Sequence, residues 1–178
     1  MDASRLTGHE PDPQLGSAAE LLACIARAHE RTRQVVVLIP SEEYDWAPRH
    51  GWYTLGDLVR HLAGTERWTY AESVQGRANR YPGHGRELAD GRDATLAYYD
   101  RLHAESMAIF ATLNDAALLR PVATAAGKTL PLRSWLRAMI EHEAHHRGQI
   151  YLLLAMRGVA TPAFTVGGDD ARGLSIVR

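Results

Sequence analysis

The chain has 178 residues, enough for one domain with a substantial core, and 46% of them are hydrophobic, which excludes bulk disorder. The net charge is -1, so no overall positive field draws the protein to nucleic acid or to an anionic membrane. The stretch from Met1 to Gln14 lacks the apolar run of a signal peptide, and runs such as Val35 to Ile39 are too short to span a bilayer, so a cytoplasmic protein is expected.

Four long helical patterns follow in chain order. The first runs from about Gly16 to Ile39 and stops at Pro40. It contains the single cysteine, Cys24, which can form no intrachain disulfide. Its neighbours Leu21, Leu22 and Ile25 predict a buried, inert thiol. The second helix enters at Thr54-Leu55-Gly56-Asp57, a capping-box-like signal with Asp in the usual Glu position, and runs to about Gln75. The linker from Gly76 to Gly91 holds four glycines and Arg77, Arg80 and Arg86, with Tyr81 and His84. It reads as an ordinary solvated connection rather than an anion-gathering lid. The third helix spans about Arg92 to Asn114, and Pro121 to Lys128 has room for a short strand or hairpin. The fourth helix starts near Thr129-Leu130-Pro131, with proline tolerated in its first turn, and ends before Gly158. No segment alternates with period two long enough to argue a sheet. The expected architecture is all-α, a four-helix bundle over residues 16–165 with long connections, a flexible N-terminus (1–15) and an extended tail (166–178).

The fourth helix carries the chemistry. Steps of three and four give Leu132, Trp135, Met139, His142, His146, Gln149, Leu153 and Met156, an apolar stripe with three polar residues at its centre. The opposite side carries Arg133, Arg137, Glu141 and Glu143, so the stripe is expected to be buried. Three buried polar groups without partners cost several kcal/mol in sum, roughly. Histidines at i and i+4 share one face and can reach a single ion, and imidazole is the commonest metal ligand. A third ligand should come from a facing helix, from His29, His61 or His103. The apolar neighbours Leu55, Leu58 and Leu62 favour His61. His145 points away from His142 and is not expected in the same coordination sphere. Gln149 is placed to orient His61 or a metal-bound water. Glu66 is a possible carboxylate partner for a histidine on the last helix.

Leu58-x-x-His61-Leu62-Ala63-x-x-Glu66-Arg67-Trp68, together with His142-x-x-His145-His146-Arg147-Gly148-Gln149-Ile150, resembles the DinB-like superfamily. The approach from Pro40 to Trp52, with Trp46, Pro48 and Trp52, is also similar. The likeness covers roughly residues 17 to 165. It implies an up-down-down-up four-helix bundle, often a homodimer, with one divalent metal on three histidines that match His61, His142 and His146. Related members include S-transferases and isomerases that use small-molecule thiols.

His142-Glu143-Ala144-His145-His146 also satisfies H-E-x-x-H, the zinc-peptidase signature with Glu143 as base. Such enzymes take a third ligand downstream. After His146 only Asp169 and Asp170 remain as carboxylates, and no histidine follows. Glu143 is instead expected on the flank of the helix, paired with Arg147. A three-histidine site with open positions suits zinc, nickel, iron or manganese. The leading expectation is thiol-dependent S-transferase or isomerase chemistry on a small molecule, with a low-molecular-weight thiol as co-substrate. The alternatives are a metal-dependent hydrolase and a non-enzymatic metal-binding stress protein.

Overall fold

The computed structural model describes residues 16–124 and 127–162, so the two terminal segments expected at 1–15 and 166–178 lie outside the described residues. Helix α1 spans Ala18–Val36, and Ser17 caps it in a reciprocal box with Glu20. Helix α2 spans Leu55–Thr65, and the Thr54 and Asp57 side chains bond each other's backbone N–H as the sequence predicts. Its path continues through a π-helical turn, Glu66–Tyr70, into the short α3, Ala71–Val74. Helix α4 spans Gly91–Phe110 and α5 spans Leu132–Met156. An antiparallel hairpin of β1 (Pro121–Ala123) and β2 (Thr129–Pro131) precedes α5. Thr129 to Pro131 is therefore strand, not the first helical turn. Pro131 is the residue before the helix, where its missing N–H costs nothing.

The four long helices enclose two apolar clusters. One holds Val35, Leu58, Leu62, Tyr99, Leu102 and Ile150, among others. The other holds Leu21, Ile25, Tyr70, Phe110, Leu136 and Met139. Helices α1 and α5 run from the second cluster to the first, whereas α2 and α4 run from the first to the second. That is the up-down-down-up order. Helix α2 packs on α4 and α5, and α1 packs on α5 and α4. Between the clusters lies a polar layer that includes His29, Thr32, Glu66, Ser106, Glu143, His146 and Arg147, all buried. No described helix is long and apolar enough to cross a membrane.

The buried face of α5 differs from the expected stripe. Leu132, Met139, His146 and Leu153 are buried, but so are Leu136, Glu143, Arg147, Ile150 and Leu154, while Gln149 and Met156 are exposed. The reason is that α5 has two neighbours, α1 and α2, so its covered face is wider than one stripe. Glu143 is only 5% exposed, which corrects the solvent-facing flank expected for it. Cys24 is half-buried, with the Arg27 guanidinium 2.9 Å from its sulfur, rather than buried among leucines.

Candidate metal centre

His61 from α2 meets His142 and His146 from α5 at the level of the polar layer. One ring nitrogen from each lies within 4.8 Å of the other two. His142 Nε2 is 3.0 Å from His61 Nε2 and 3.1 Å from His146 Nε2. One hydrogen or one lone pair on His142 Nε2 has to serve both contacts. His146 Nδ1 lies 2.7 Å from the Gln149 side-chain oxygen, so Nδ1 carries the proton and Nε2 a lone pair. His61 Nδ1 lies 2.7 Å from the Tyr81 hydroxyl, which lies 3.1 Å from His84 Nδ1. A phenol that accepts from His61 and donates to His84 leaves a lone pair on His61 Nε2 as well. His142 Nε2 then has at most one hydrogen to share between two lone pairs. A shared cation would meet all three nitrogens. A tetrahedral ion with nitrogen ligands at roughly 2.0–2.1 Å sets its donors about 3.3 Å apart, so binding would spread the 3.0 and 3.1 Å contacts slightly.

Burial favours neutral, ligand-ready rings. It lowers the His61 pKa to about 3, helped by His146 and His142. It lowers that of His142 to about 4, helped by His146 and His145, and it also lowers that of His146. The linker between α3 and α4 does more than connect. Tyr81 reaches His61 because Gly64 leaves room, since a Cβ there would meet the Tyr81 ring at 3.2 Å. Tyr53 packs edge-on to His84 with centroids 4.2 Å apart and stands 5.6 Å from His61. The three linker arginines are engaged elsewhere: Arg80 with Glu72, Arg86 with Asp45 and Asp90, and Arg77 with Gln75.

Gln149 orients His146, not His61. Glu66 accepts from His103 Nδ1 at 3.0 Å, not from a histidine on α5. Tyr81 and His84, expected in an ordinary solvated connection, stand instead at the histidine cluster, and Tyr53, for which the sequence gives no signal, joins them. The one signal for Tyr81 was a glycine in mid-helix, a poor helix former that marks a close approach. Tyr81 and Gln149 hold the far nitrogens of two of the candidate ligands, so Tyr81→Phe and Gln149→Ala are each expected to weaken divalent-metal affinity by roughly 10–100-fold. Competition against a chromogenic chelator measures this.

Glu143 accepts from the Tyr99 hydroxyl at 3.1 Å inside the bundle. Burial, with Glu66 nearby, pushes its pKa from 4.5 up to about 7. Between those pH values the folded state keeps a proton that the unfolded state has released. The group's contribution is therefore complete below pH 4.5 and is lost as pH rises toward 7, at about 1.4 kcal/mol per pH unit. His29, lowered to about 3 chiefly by burial, has the opposite slope. Glu143→Gln should fold, keep its metal, and gain stability relative to wild type as pH rises from 5 to 7. Parallel denaturant titrations at several pH values check this.

The sequence matches the profile of the DinB superfamily over residues 25–150. A comparison with curated proteins finds no match. Among solved structures, a DinB-like protein of Bacillus cereus superposes with a TM-score of 0.70 at 17% identity, covering 84% of this chain and 99% of that one. A DinB-like protein of Bacillus subtilis, YjoA, gives 0.63 at 18%, covering 78% and 92%. YfiT of Bacillus subtilis, described as a probable metal-dependent hydrolase with an unusual four-helix bundle topology, gives 0.66 at 19%, covering 85% and 95%. At these identities the likeness is one of fold.

Proposed function

Because the chain belongs to the DinB superfamily, we propose that His61, His142 and His146 hold one divalent metal ion and that the protein is an enzyme joining or isomerising small molecules with a low-molecular-weight thiol. The observation that carries this reading is the convergence of three imidazoles, with His142 Nε2 3.0 Å from His61 Nε2 and 3.1 Å from His146 Nε2. A divalent ion held there supplies a Lewis acid that lowers the pKa of a thiol or water bound to it. Tyr81 and Gln149 fix the ligand rings. Tyr53 and His84 offer aromatic surface beside His61, suited to an organic electrophile.

Thiol is favoured over water as the nucleophile by the partners of the ligands. Among the described residues, no carboxylate hydrogen-bonds any of the three rings. Glu143, the base of the peptidase signature, is instead held by Tyr99. A second reading, a metal-dependent hydrolase of small substrates, draws on the description of YfiT. The metal-loaded protein should be screened against small electrophiles with and without low-molecular-weight thiols, and against esters and amides without thiol. Thiol-dependent, metal-dependent turnover that His146→Ala abolishes is the expected result. Thiol-independent hydrolysis lost in the same variant would favour the second reading, and no metal-dependent turnover would overturn both.

A further inference from the structure

The polar layer contains a second group of metal-ligating side chains, separate from the three histidines. His29 of α1, Glu66 of the π turn after α2 and His103 of α4 bring one ligand atom each within 4.8 Å of the others. Glu143 of α5 lines the same small cavity as Glu66, together with Leu62, Tyr99, Met139 and His142. Segments α1, α4 and α5 and the π turn after α2 thus each bring an ionisable side chain to this part of the layer. His29, Glu66 and Glu143 are buried, and the His103 side chain is 17% exposed. A sequence that needed only a core would place apolar residues there, as it does in the clusters above and below.

Internal hydrogen bonds account for part of this group. His103 Nδ1 donates to Glu66 at 3.0 Å, and Tyr99 donates to Glu143. They do not account for His29. Its ring is 6% exposed, and its Nδ1 has no hydrogen-bond partner among the described residues. An unpaired buried acceptor or donor costs about 1–3 kcal/mol. The His29 ring lies face to face on His103, with centroids 3.4 Å apart and planes 5° apart. Aromatic rings disfavour that sandwich relative to offset or edge-on arrangements. Burial keeps the His29 imidazole neutral, the form that ligates. The π turn adds a second sign, because it interrupts α2 at Glu66, and such turns concentrate at functional sites.

We propose that His29, Glu66 and His103 form a second divalent-metal site, with Glu143 facing it across the cavity. Two imidazoles and carboxylate oxygen suit a first-row transition ion of the zinc, iron or manganese type. Bundle cores build such sites from side chains on facing helices. Closing the ligand set requires the His29 and His103 rings to turn out of their stack, so that both lone pairs meet one ion. The site does not depend on the three-histidine centre, and it predicts two metal equivalents per chain.

The test titrates metal-free protein with zinc, reading stoichiometry by elemental analysis after gel filtration, and repeats the titration with cobalt(II) to read the ligand field. Wild type should bind two equivalents. His142→Ala/His146→Ala should keep one, with a cobalt spectrum free of the three-histidine contribution. Glu66→Gln, nearly isosteric and so expected to fold, should lose one equivalent and keep the three-histidine site. His29→Gln provides an independent removal of the same equivalent. One equivalent in wild type that His142→Ala/His146→Ala abolishes would overturn the second site while leaving the three-histidine site standing. Two equivalents unaffected by Glu66→Gln and His29→Gln would overturn it as well. No equivalent lost in His142→Ala/His146→Ala would instead count against the three-histidine site.

Discussion

His142→Ala and His146→Ala are each expected to lower the affinity of the three-histidine site for a divalent ion by more than about 100-fold, beyond the 10–100-fold typical of losing a neighbour that only orients a ligand. The expectation follows from geometry. His142 Nε2 is the common member of both short contacts, so its removal leaves His61 and His146 without a bridging donor. Removing His146 leaves Gln149 with His145 alone and breaks the i, i+4 pair that sets the bite of α5. Neither change should unfold the chain, because both apolar clusters lie above and below the layer. Helical circular dichroism should stay near wild type while competition against a chelator shows the lost affinity. Full metal affinity at this site in both variants would rule it out as the ligand set.

Arg60→Ala should have the largest effect on stability, a loss of about 3–5 kcal/mol. The Arg60 side chain is 1% exposed. It donates to the His84 and Ala89 carbonyls, to Thr95 Oγ1 and to Asp57 Oδ1. Truncation takes this donor from the part-buried His84 carbonyl and unpairs the Asp57 carboxylate. The damage should extend beyond stability. The same guanidinium ties the linker carrying Tyr81 and His84 to the helix that carries His61, so metal affinity should fall with it. Denaturant titration should show a lower midpoint with an unchanged slope, and a loss below about 1 kcal/mol would contradict this role.

The bundle was legible because its signals are local. Helical periodicity, the Thr54 to Asp57 box and the breaks at Pro40 and Gly158 each rest on a few neighbouring residues, and they locate the long helices to within a few positions. The start of α5 was misplaced because the hairpin expected within Pro121 to Lys128 reaches further, pairing Thr129 to Pro131 with Pro121 to Ala123 and taking the residues that Pro131 marked as a first helical turn. The i, i+4 histidines could be read from spacing. Their exact setting could not, since α5 packs on two helices and buries Glu143 and Arg147 along with His146. Arg147 donates to the Ala28 carbonyl and Thr32 Oγ1 on α1, a contact between residues more than a hundred positions apart in the chain. Burial was also a misleading guide among the candidate third ligands. His29 is more buried than His61, yet it faces His103 and Tyr99 rather than the α5 pair. Charged neighbours such as Arg27 and Glu30 hid that burial, because on a helix adjacent residues point to different faces. The part played by Tyr81 depends on a loop folding back over Gly64, which no periodicity encodes.

The most direct measurement of the central claim is the anomalous scattering from a crystal of the zinc-loaded protein, recorded on both sides of the zinc edge. A peak within about 2.0–2.1 Å of the Nε2 atoms of His61, His142 and His146, with at least one position free of protein ligands, is the predicted result. Zinc-specific density confined to other side chains, with the three imidazoles unligated, would contradict it.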